Sequence, residues 1–79
     1  MNRDLAHLVV TSAARARVEL GDLMPTLKEH GDAAKDEPVK LAIASAVYEI
    51  GLVMDHVFET YPDVKQEYEA RVKTYGRLY

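Results

Sequence analysis

The 79-residue chain has no cysteine and no tryptophan, a single phenylalanine, three prolines and four glycines. Without cysteine there is no disulfide staple and no thiolate for a structural zinc site. A chain this short must then be stabilised by well-packed helices or by association with another chain. The glycines stand apart at positions 21, 31, 51 and 76, so no glycine-rich loop can cradle a phosphate. Basic residues are outnumbered, ten against thirteen acidic, which leaves a formal net charge of −3 and a pI near 5.5. That balance lacks the positive footprint of nucleic-acid binding, and nucleic acid is not an expected partner. Long apolar runs are missing as well. Leu8-Val9-Val10 is too short for a signal peptide, and no stretch approaches the roughly 18 apolar residues read as a membrane span. The expectation is a cytoplasmic protein with no membrane partner.

What the chain does have is helical periodicity. Its 48% hydrophobic content is ordinary for a globular protein and argues against disorder. Leu5, Val9, Ser12, Ala16, Leu20, Leu23 and Leu27 recur at steps of three and four, the mark of one helix face, and predict a first helix over residues 3–29. Pro25 interrupts it, because proline has no N–H and clashes with the carbonyl four residues back, that of Gly21. The apolar phase runs through unbroken, so one helix kinked near Gly21-Pro25 is favoured over two helices with Asp22 capping the second. His30 to Asp36 reads as a loop. Gly31 suits a left-handed helix end, and Asp36 suits the next N-cap, ahead of Glu37 and Pro38.

A second helix is predicted over 37–60, with Val39, Ile43, Ala46, Val47, Ile50, Val53, Met54, Val57 and Phe58 on its main face. Tyr61-Pro62 marks a boundary, since the residue before proline is pushed out of the α region. A third helix then runs over 62–77. The fold class is all-α: one domain over residues 1–79, a three-helix bundle built on a long antiparallel hairpin.

Centring the hairpin turn near Ala33 and Ala34 pairs residue i with roughly residue 67 − i. Ala13, Ala16 and Gly51 then coincide at mid-hairpin. The first reading is close helix packing, and a ligand cavity behind the small residues is the alternative. The second helix is apolar nearly all round, with only a narrow polar strip of Ser45, Glu49, His56 and Thr60. A helix of that kind is usually buried on all sides. Its rear face carries Leu41, Ala44, Tyr48, Gly51 and Leu52, and the first helix has a rear line of Val10, Ala14 and Val18. One short third helix cannot cover both. The expected cover is a second copy of the chain, or another protein, meeting Val10, Ala14 and Val18 or Leu41, Tyr48 and Leu52. Tyr61, Tyr68 and Tyr75, spaced by seven, share one face of the third helix. They read as core packing, with Tyr68 and Tyr75 as partner contacts in the sharper reading, because tyrosine is enriched at interface hot spots.

Chemistry is poorly represented. Asp4-x-x-His7 and His56-x-x-Glu59 each present two ligand types at i, i+3, and the hairpin brings both pairs to one end. Helical carboxylate bundles hold metals with related spacings. Asp4, His7, His56 and Glu59 are thus weak metal candidates, although they lie off the apolar faces where such ligands must point. No paired carboxylates or nucleophile–base arrangement can be placed, and no cofactor is expected. The favoured function is a self-associating protein–protein interaction module without chemistry of its own. The alternatives are a metal- or small-ligand-binding bundle and a small helical enzyme with its site at a dimer seam.

Overall fold

A computed structural model describes residues 1–76 as an all-α arrangement of three helical rods, with no strand among them. The first rod consists of α1 (Arg3–Gly21) and α2 (Leu23–His30), the second is α3 (Glu37–Thr60), and the third is α4 (Pro62–Tyr75). The Tyr75 side chain lies outside the described residues, as does the expected helix end at residue 77.

Local chemistry explains the boundaries. Asn2 caps α1, its Oδ1 accepting the Leu5 N–H at 2.8 Å. The first rod is kinked at Asp22, which keeps right-handed angles (φ −68°, ψ −15°) and still donates to the Val18 carbonyl at 2.9 Å. Pro25 leaves the Gly21 carbonyl without its helical donor, so the chain bends there without leaving helical space. Asp22 makes no side-chain cap for α2.

One loop expectation is corrected and a second holds in position only. Gly31 is extended, at φ −88° and ψ 179°, not left-handed. Glycine is needed there for space: a Cβ would fall on the Asp36 carboxylate and within 2.5 Å of the Leu27 carbonyl. Asp36 takes the N-cap position of α3 as expected, but its side chain makes no capping hydrogen bond. Its carboxylate turns back to accept the Asp32 N–H at 2.6 Å, while Asp32 Oδ1 accepts the N–H groups of Ala34 and Lys35 at 2.9 Å. Tyr61, held at φ −127° and ψ 73° ahead of Pro62, separates α3 from α4 as expected.

The core is small and lies at one end. Ala6, Val10 and Ala14 of α1, Met54 and Val57 of α3 and Val64 of α4 are buried as one cluster. Val10 with Val57 and Ala14 with Met54 fit the expected hairpin register. The buried line of α1 does not fit expectation. It sits about 100° around the helix from Leu5, Val9, Ser12 and Ala16, one residue on. Leu5 is 44% exposed and Val10 only 2%. Full burial requires cover from two sides, and only the seam where α1, α3 and α4 meet provides it. Residues facing across the hairpin alone, such as Val9 and Ala13, remain half-buried.

Beyond that seam the molecule is two helices thick. Its extents are 44 × 25 × 14 Å, and its radius of gyration is 14.8 Å, against about 12 Å for a compact domain of this length. No residue of α2 is buried. α3 contains an 18-residue window of mean hydropathy 1.5, of which 11% is buried. Length and composition therefore suffice for a membrane span, contrary to the expectation from apolar runs. Scattered polar residues such as Glu49 and His56 hide the high average from a search for uninterrupted runs.

The shifted α1 register has a direct test. Val10→Ala should cost about 2 kcal/mol in urea unfolding. Leu5→Ala should cost less than about 1 kcal/mol. Equal losses would restore the register expected from periodicity.

Candidate functional site

α4 is fastened to the start of α1 by a charged latch. Arg3 and His7 are spaced i, i+4 on α1, and Asp63 and Glu67 repeat that spacing on α4. The Arg3 guanidinium donates from Nε to Asp63 and from Nη2 to Glu67. His7 Nε2 lies 2.8 Å from Glu67 Oε2, and the Tyr61 hydroxyl donates to the Met1 carbonyl. The hydrogen bond from Arg3 is the main cause that lowers the Asp63 pKa below its ordinary value, and its bonds to Asp63 and Glu67 raise that of Arg3. Taken along α4 alone, Asp63 and Glu67 read as solvent-facing electrostatics. The signal for the latch lies in the match between two helices that meet at one end, each carrying charges at i, i+4.

The latch also explains why the metal candidates do not assemble. His7 is turned toward Glu67. His56 Nδ1 is 3.9 Å from Glu59 Oε2, and both side chains are about three-quarters exposed. Among the described residues, no group of three or more histidines and acids is placed to hold a metal ion. Asp4, His7, His56 and Glu59 do not form the expected constellation, because α4 claims one end of the set and solvent the other.

The candidate interface residues separate into two groups. Val10 and Ala14 are core and Val18 is half-buried, so they form no outer line of α1. The α1–α3–α4 seam has taken Val10 and Ala14. The rear face of α3 stays open. Leu41 is 61% exposed and Tyr48 66%, and Leu52 is half-buried. Tyr68 packs on Phe58, with ring centroids 5.7 Å apart. Tyr75 lies outside the described side chains.

Leu52 and Tyr68 line an open groove of about 470 Å³ on the α3 rear face, together with Val47, Gly51, Phe58 and Arg17 of α1. Tyr48 and Asp55 also border it. Gly51 does not serve close helix packing: a Cβ there would meet only Arg17 Nη1, at 4.0 Å. Its missing side chain leaves the groove open, but Ala13 and Ala16 do not line it, so it is not the cavity behind the small residues given as the alternative. Arg17 and Asp55 form no ion pair among the described residues, so the groove combines apolar walls with one uncommitted guanidinium.

Comparison with protein-family models, curated proteins and solved structures finds no match. The fold defines the chain as an all-α hairpin with a short third helix latched across one end.

The latch carries an expected acid response. A depressed Asp63 pKa contributes stability that is fully present above the ordinary aspartate value and is lost as pH falls through the lower folded value. Urea midpoints should fall below about pH 4, and Asp63→Asn should flatten that part of the profile. An unchanged acid profile in the variant would remove Asp63 from the latch.

Proposed function

We propose that this protein is a self-associating helical interaction module that works through the outer face of α3 and carries no chemistry of its own. The supporting observation is area. The chain exposes 5644 Å², whereas a compact monomer of 8.9 kDa would expose about 4800 Å². The surplus is of the order of the 800 Å² that each partner buries in a standard-size interface. Much of the uncovered surface is apolar and lies on α3: Leu41 and Tyr48 of its rear face are 61% and 66% exposed, and Val39 and Val53, expected on the hairpin face, are also at least 45% exposed. A cytoplasmic setting belongs to this reading.

Lipid is the second occupant with an observation in its favour, the mean hydropathy of 1.5 across α3. The polar residues of that helix count against it. They include Glu49, Asp55 and Glu59, where a membrane-surface helix would carry lysine and arginine.

Light scattering across the micromolar range decides the matter, with flotation on anionic and neutral vesicles as the second arm. The expected result is a dimer that does not float. A monomer at high micromolar concentration would defeat the proposal, and flotation of that monomer would favour lipid.

A further inference from the structure

The α3 rear face holds both parts of a two-fold contact: a protruding ring at Tyr48 and, one turn further along the same helix, an empty slot at Gly51. We propose that two copies associate through antiparallel α3 helices, each placing its Tyr48 in the other's Gly51 groove against Arg17. This rests on the self-association reading above and specifies its geometry.

Symmetry supports the pairing. A two-fold contact is self-complementary, so whatever protrudes must find its receptor on the same surface. Tyr48 is the most exposed large apolar residue among those described, at 66%. The groove it borders has space above Gly51, where even a methyl group on the glycine Cα would find its nearest neighbour, Arg17 Nη1, 4.0 Å away. Its volume of about 470 Å³ admits a phenol ring. Arg17 has no ion-pair partner among the described residues, and a guanidinium over a tyrosine face gains cation–π attraction. Tyrosine and arginine brought together in a desolvated pocket are the usual make-up of an interface hot spot.

Charge supports the antiparallel direction. Lys40 lies beside Lys28 near the start of α3, whereas Asp55 and Glu59 border a shared surface near its end. Setting Tyr48 opposite the partner's Gly51 pairs residue i with 99 − i along α3. Lys40 then lies opposite the partner's Glu59, and Leu41 opposite the partner's Phe58. A parallel pair would set like charges together. The antiparallel crossing also lays the thin, coreless end of each hairpin against the three-helix end of its partner, where cover is lacking in the single chain.

Sedimentation equilibrium on the full chain tests the proposal, with circular dichroism to confirm unchanged helix content. Tyr48→Ala and Gly51→Leu should each weaken the dimer roughly tenfold or more. Tyr48→Phe should retain most of the affinity, and Leu8→Ser, at an exposed site on α1, should leave it unchanged. Because the chain has no cysteine, oxidation of mixed Lys40→Cys and Glu59→Cys chains reads direction: a mixed disulfide is expected. A dimer indifferent to both Tyr48→Ala and Gly51→Leu, or a Lys40→Cys chain that preferentially cross-links to itself, overturns this geometry and leaves self-association standing. A wild-type monomer at high micromolar concentration overturns both.

Discussion

Everything in this fold depends on the seam where α4 closes over one end of the hairpin. A pair of helices can bury only the residues that point directly at each other, and even those stay open at the edges. A third helix turns the line between them into an interior. Ala6, Val10, Ala14, Met54, Val57 and Val64 are buried because they lie on that line. The small alanines let the rods approach there, and the valines fill what remains. Arg3, His7, Asp63 and Glu67 then hold α4 against α1 from the rim. These rim contacts are solvent-exposed and contribute orientation more than energy, while burial of Val64 supplies the apolar attachment.

The helices, the positions of their breaks and the approximate hairpin pairing are legible in the sequence, because each is set by local signals. Proline marks the bend at Asp22 and the break at Tyr61, and Gly31 marks the loop, whose extended glycine and Asp32–Asp36 hydrogen bond only the structure reveals. The orientation of α1 is not legible there. Its two apolar lines, Leu5-Val9-Ser12-Ala16 and Ala6-Val10-Ala14, compete within the same helix, and the choice belongs to α4. Periodicity registers which residues share a face but not which face meets two neighbours. The same limit puts Val10 and Ala14 at an outer surface and hides the Arg3 and His7 contacts, which join residues some sixty positions apart. The excess of apolar surface on α3 is legible, because a helix that is apolar on nearly every side announces that no single neighbour will suffice. Gly51 stands out in the sequence for its size, and the structure turns that smallness into open space beside Arg17.

The contrast between the two ends has an energetic side. At the seam end, cavity formation would be felt at once, since the core side chains come from all three rods and pack as one cluster. At the loop end, Leu20, Leu27, Ile43 and Val47 are only partly covered. Substitutions there act on surface that the isolated chain leaves half in water. Packing therefore constrains sequence change more tightly at the seam end than at the loop end.

The uneven core has a consequence for how the chain opens. Amides of α1 and α3 that flank the seam lie in the best-buried part of the chain and should exchange most slowly. Those of α2, which buries no residue, need only the bend at Asp22 to loosen and eight residues to unwind. The hairpin tip is thus expected to open at a lower free energy than the seam. Hydrogen exchange along the chain would therefore read the uneven core directly, fast at the tip and slow at the seam.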